Sequence, residues 1–211
     1  MSQAYLQIRN EYLAKAWARS TAELAACLPA ASDRAGLHFR AFGASCTLTP
    51  ADILLSGTSA SGPEGLLIAL YASGVPDLPV QLQPLKAFKE LPNSLPYQAA
   101  FAANAEHLLV PQVTRIQAHR DLLVSRFSGQ INADAPSGDF SFTLWPLPRI
   151  PLYYIFNLPD EEFPAAVTCL FAANAGLFMP LDGLADVAEY TGKKLIAVLN
   201  ECSSGPGRGN P

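Results

Sequence analysis

Asp160-Glu161-Glu162 is the densest run of carboxylates in the chain. Two converging carboxylates can bind a hard cation, and one with a raised pKa can act as a general base. Adjacent residues of an extended segment point to opposite faces, so at most two of the three converge unless the segment turns. Pro159 and Pro164 bracket the run, and a solvated turn between two strands is the structural alternative. Arg149 stands among Pro146, Pro148 and Pro151. Its guanidinium can clamp a carboxylate or phosphate, or pair with Asp160 or Glu161 across a hairpin. Glu90 and Tyr97 flank the proline-bounded stretch Leu91–Pro96, where a carboxylate and a phenol can line a pocket. The alternative is that Tyr97 packs in the core and Glu90 satisfies loop amides. Glu90, Tyr97, Arg149, Asp160, Glu161 and Glu162 are therefore the candidate ligand-binding residues. No catalytic residue and no metal ligand is assigned, and the cofactor is left open.

Other site chemistries find little purchase. His38, His107 and His119 have no ligand partner at i+3 or i+4, so spacing argues against a histidine metal site. His38 is placed on a hairpin, on the same face as Cys46, and a single axial ligand to a haem or corrinoid needs only one histidine. Cys27, Cys46, Cys169 and Cys202 form no Cys-x-x-Cys pair. No Gly-x-Ser-x-Gly, P-loop or dinucleotide fingerprint is present.

The elements that must position these residues follow from composition and pattern. The chain has 211 residues, of which 50% are hydrophobic and 15% charged, with a formal charge of -4. That suits one domain with a substantial core and argues against disorder and against a nucleic-acid partner. The uncharged run from Phe163 to Leu181 approaches membrane-spanning length, but Pro164, Asn174, Gly176 and Pro180 favour a strand and a short helix, so no membrane partner is expected. The first 20 residues show no secretory pattern, and a cytoplasmic location is expected.

Tyr5, Ile8, Tyr12, Ala16 and Trp17 recur at helical spacing and predict an amphipathic first helix. Ser20-Thr21-Ala22-Glu23 is a capping box that predicts a second helix to about Leu28. Leu37–Phe42 and Ser45–Thr49 read as a hairpin about Gly43-Ala44, with another short strand from Ile53. Pro63 opens a helix that Gly74 and Pro76 end. Helices are predicted over about 96–109 and 112–127. Phe140, Phe142 and Leu144 alternate with polar residues, predicting a half-buried strand, and Leu152–Phe156 and Val167–Phe171 read as further strands. Short connections favour an antiparallel meander over about 139–171. Asp182 is expected to cap the last helix, and the segment 203–211, without apolar anchors, to be a flexible tail. The expectation is a single α+β domain over 1–202: an antiparallel sheet with helices packed on it, plus an N-terminal helix and β-hairpin. Phe101-Ala102-Ala103-Asn104-Ala105 recurs as Phe171-Ala172-Ala173-Asn174-Ala175, but the flanks differ and no duplication is inferred.

Several short blocks occur in an order that resembles a known family. They are Leu85–Pro92, Tyr97–Phe101, Gly138–Phe142, Leu147–Leu152, Asp160–Pro164, Leu170-Phe171 and Met179–Leu181. From about Leu66 to Ile196, and more weakly over the first helix and hairpin, the chain resembles the bacterial and archaeal family called domain of unknown function 3786. Asn157, Pro159 and Ala172 depart from the family pattern. The resemblance implies no established activity. It implies a link to anaerobic metabolism, since some members look fused to a four-cysteine iron–sulfur module similar to one in corrinoid iron–sulfur proteins. This chain lacks the cysteine spacing of that module. The expected function is a cytoplasmic accessory or binding domain tied to anaerobic redox or corrinoid metabolism. The first alternative is an enzyme using Asp160, Glu161 or Glu162 with Arg149 in an acidic cleft. The second is a protein-interaction or homodimerisation module. The partner is a protein or small molecule, and the oligomeric state is open.

Overall fold

A computed structural model describes residues 3–132 and 138–203. Helices α1 (Gln3–Ala16) and α2 (Thr21–Cys27) lead into strands β1 (Ala31–Asp33), β2 (Gly36–Ala41), β3 (Ala44–Leu48), β4 (Ile53–Leu55) and β5 (Thr58–Ser59). Helix α3 (Pro63–Gly74) precedes β6 (Lys86–Ala87), α4 (Gln98–Phe101), α5 (Val113–Ala118) and α6 (Arg120–Arg126). The chain ends with β7 (Gln130–Ile131), β8 (Phe140–Leu147), β9 (Ile150–Asn157), β10 (Ala166–Phe171) and α7 (Leu181–Ser203). The tail expected from 203 lies outside the described residues from 204 onward, while Ser203 still belongs to α7. No described helix is long and apolar enough to cross a membrane.

The architecture is α+β, and the described residues form two antiparallel sheets rather than one sheet with an attached hairpin. The hairpin grows into a five-stranded meander in the order β1-β2-β3-β4-β5. Its tight turn is Phe42-Gly43, one residue earlier than expected, and both residues have positive φ, at 49° and 76°. Such a turn matches the right-handed twist of the flanking strands. The second sheet runs β6-β10-β9-β8-β7 and contains the expected 140–171 meander. Phe140 stands opposite Phe156 with stacked rings 4.7 Å apart, and Phe142 opposite Tyr154 at 6.0 Å. Cross-strand aromatic pairs of this kind fix the register. A register shift between Leu144 and Leu147 accommodates Pro146, whose carbonyl accepts the Phe42 N–H at 2.7 Å and joins the two sheets.

Strand β8 is buried on both faces, not half-buried. Ser141 and Thr143 are enclosed because they find partners: Ser141 pairs with the Tyr153 hydroxyl and the Thr143 hydroxyl donates to Asn132. Ser20 caps α2 as expected, its hydroxyl accepting the Glu23 N–H at 3.2 Å, and no return bond from the Glu23 carboxylate is seen among the described residues. On α1 the buried face is Arg9, Leu13 and Ala16, while Tyr5 and Ile8 remain exposed. Arg9 is enclosed because its guanidinium donates to the Ala60 carbonyl and pairs with Asp52, each at 2.9 Å. The helix expected over 96–109 is segmented: a 3-10 turn at Leu95–Tyr97, then α4, then a π-turn at Ala102–Glu106. The helix expected over 112–127 breaks at His119 into α5 and α6. Residue Asp182 lies in the first turn of α7 and accepts the Gly183 N–H, rather than capping from outside. The two Phe-Ala-Ala-Asn-Ala runs have unlike structures, one spanning α4 and the π-turn, the other leaving β10 into a 3-10 turn.

Candidate functional site

Arg149 sits in the β8–β9 turn with its side chain 12% exposed. It pairs with Asp77 at 2.6 Å and not with Asp160, Glu161 or Glu162. The rest of its guanidinium donates to the carbonyls of Ala26 (2.9 Å), Cys27 (2.8 Å) and Leu78. Its backbone N–H donates to the buried Tyr71 hydroxyl at 3.1 Å. Four of its five guanidinium N–H donors are spent on the protein itself. Asp160 closes its own turn, accepting the N–H groups of Glu162 and Phe163 at 2.9 and 2.7 Å. The N–H groups of Phe163 and Glu162 hold its carboxyl below the ordinary value. Glu161 and Glu162 are exposed beside it. Glu90 reaches back to accept the Ala87 N–H at 2.7 Å, capping the 3-10 turn Phe88–Glu90. These partners are structural, and the structure does not draw Arg149 and the 160–162 carboxylates into one set of contacts.

Tyr97 differs. It is 59% exposed and lines a cleft of about 480 Å³. One wall comes from the segment 88–105 and carries Phe88, Tyr97, Ala100 and Phe101, with the amides of Asn93 and Asn104. Phe88 and Phe101 stack at 4.2 Å with their planes 2° apart, and both lean on Phe171 of β10. The opposite wall is the first half of α7, with Leu181 and Ala185 beside the carboxylates of Asp182, Asp186 and Glu189. The π-turn sets Asn104 and Ala105 at the cleft; such turns widen a helix by one residue and recur at functional sites. Asn93 joins with a positive φ of 63°. Partial burial and the neighbouring charges of Glu189 and Asp182 raise the Asp186 carboxyl. Glu189 is held by Lys193 at 2.5 Å, and the Lys193 ammonium lies 4.5 Å from the Tyr190 ring centroid. The lining residues include no lysine, arginine, histidine or cysteine.

Behind this wall, Glu106 accepts the Cys169 N–H at 3.0 Å, at a point where β10 has run past the two residues of β6. Burial raises the Glu106 carboxyl, against the lowering effect of that N–H. Tyr154 and Cys169 are fully enclosed and burial drives both groups up; the Tyr154 hydroxyl has no regular hydrogen bond, and the Cys169 sulfur is its polar neighbour. His38 is not on the face of Cys46: it stands opposite Thr47, and Cys46 opposite Phe39. Both His38 ring nitrogens are engaged, by Thr47 at 3.1 Å and Asp33 at 2.8 Å. Burial raises the Cys46 thiol to about 12. Among the described residues no three His, Cys, Asp or Glu side chains group as a metal site. The free thiols are scattered, so they do not fit an iron–sulfur cluster.

Sequence reasoning reached Tyr97 and missed the other residues of the cleft. A signal was available in Asp182, Asp186 and Glu189, whose i, i+4, i+7 spacing puts three carboxylates on one helix face. A family model described as domain of unknown function (DUF3786) matches residues 20–194. The chain belongs to the DUF3786 family. The match takes in α2 and the whole first sheet, where the resemblance of the sequence blocks is weaker than from Leu66 onward, and both walls of the cleft fall within the DUF3786 region. No curated protein and no solved structure matches the chain significantly.

Proposed function

We propose that this chain is a cytoplasmic small-molecule-binding domain that takes its ligand in the cleft between residues 88–105 and α7. The observation that carries the reading is the cleft itself: aromatic and small apolar walls, with a few amides, one phenol and three carboxylates. Its volume of about 480 Å³ is in the range of small-molecule sites, which combine apolar lining with few polar groups. Tyr97 is the one ligand-binding candidate from the sequence that this reading retains. Three buried, unpaired thiols support a reducing compartment. The tie to anaerobic redox or corrinoid metabolism rests on the family resemblance alone.

The test is an amide NMR spectrum of the full chain recorded with a library of small organic probes. Shifts should gather at Phe88, Tyr97, Phe101 and Ala185, and Ala100→Trp, at an exposed position lining the cleft, should abolish them. Probe shifts centred elsewhere, or untouched by Ala100→Trp, overturn the reading.

A further inference from the structure

Three carboxylates share one wall of the cleft, and no cationic side chain lines it. Helical rise spreads them along that wall: Asp186 is about 6 Å and Glu189 about 10 Å from Asp182 along the axis. They are a row and not a cage, in keeping with the absence of a metal-ligating group among the described residues. A point cation would meet one carboxylate at a time. An elongated cation would meet several. The opposite wall presents the exposed Tyr97 ring and Ala100, while Phe88 and Phe101, stacked on each other, are only 2% and 3% exposed. Aromatic faces attract ammonium groups, and methylenes gain from leaving water against them.

From outside the cleft lining, the protein already pairs one such group with the end of the row. Lys193 folds its alkylammonium onto Glu189 at 2.5 Å and over the Tyr190 ring at 4.5 Å. That pairing occupies the far end of the row. Asp182 spends one oxygen on the Gly183 N–H, and Asp186 makes no hydrogen bond or ion pair with the described residues. Two carboxylates about one helical turn apart thus remain available.

We propose that the cleft takes a linear alkyl di- or polyamine, its ammonium groups on Asp182 and Asp186 and its methylenes against Tyr97, Ala100 and Leu181. This rests on the reading of the cleft as the ligand site. The four-carbon diamine 1,4-diaminobutane and the longer triamine spermidine are the probes, added to the full chain at low ionic strength. Butane-1,4-diol, magnesium ion and matched sodium chloride are the comparisons. Both amines should shift the cleft amides, and the diol and magnesium should not. Asp186→Asn should weaken amine binding about tenfold, as loss of a charged partner does. Asp160→Asn, at an exposed turn, should leave it unchanged. Equal binding of diol and diamine, displacement by magnesium, or an unaltered Asp186→Asn overturns the amine assignment. Cleft shifts with neutral probes and none with either amine overturn it too, leaving the cleft reading in place. Amine binding that Ala100→Trp does not touch overturns both.

Discussion

Glu106 gives up part of its hydration to accept the Cys169 N–H, and its carboxyl is raised by that burial. A carboxyl whose folded value exceeds its unfolded one favours the folded state while protonated. Its contribution is present below the ordinary glutamate value of 4.5 and is lost as pH climbs through the raised value. Glu106→Gln keeps an oxygen for the Cys169 N–H and removes the titration. Urea unfolding at pH 4 and pH 7 should therefore show the variant gaining stability relative to the parent as pH rises; a constant difference between them would refute this. The acidic run 160–162 drew attention by its density, but density is what solvent permits: Asp160 closes a turn and its neighbours are exposed. The Glu106 carboxyl, raised by burial, is a lone acid in its stretch of sequence, and the strand residue it serves, Cys169, lies 63 residues away in the chain. Local composition carries no trace of that.

At the scale of elements, α3 meets the β5 loop so closely that a Cβ at Gly65 would lie 1.8 Å from the Ala60 carbonyl oxygen, the same oxygen that receives Arg9. At Gly74, the far end of the same helix, a Cβ would meet nothing within 4 Å. Helix propensity alone predicts that alanine stabilises at either position. Packing predicts opposite signs. Gly65→Ala should cost about 2 kcal/mol as overpacking, and Gly74→Ala should be neutral or add up to about 1 kcal/mol. Chemical denaturation of the two variants decides it, and a gain at Gly65 would refute the close approach. Element type was largely legible from periodicity, turn residues and the Ser20 cap. Faces and continuity were less so. Arg9 replaces Tyr5 on the buried side of α1 because the Ala60 carbonyl and Asp52 receive it. The π-turn has no spacing signature, and it is what brings Asn104 to the cleft.

Across the whole molecule, arginines tie distant segments by donating to main-chain carbonyls. Arg19 reaches Ser73 and Val75, Arg40 reaches Arg126, Arg115 reaches Leu199, and Arg149 reaches Ala26, Cys27 and Leu78. Several of these acceptors are orphan carbonyls at helix C-terminal ends, where a cation is favoured. Arg149→Ala strands two such carbonyls, of Ala26 and Cys27, and the loop carbonyl of Leu78, and should cost about 3 kcal/mol, whereas Asp77→Ala, removing an exposed partner, should cost under about 1 kcal/mol. Near- and far-ultraviolet circular dichroism should follow one coincident transition in each case. Two separated transitions would argue against a single folding unit over 1–202. The α+β class was legible because both periodicities are strong; the first sheet was read as a hairpin with one further strand from Ile53, because β1 and β5 are short and exposed and show no alternation. The second sheet ends in β6 and β7, each two residues long, and Glu106 occupies the N–H that β10 presents beyond β6. A neighbouring chain seeking to add a strand there would have to evict a carboxylate and could pair with only a few residues. That edge resists templated strand addition.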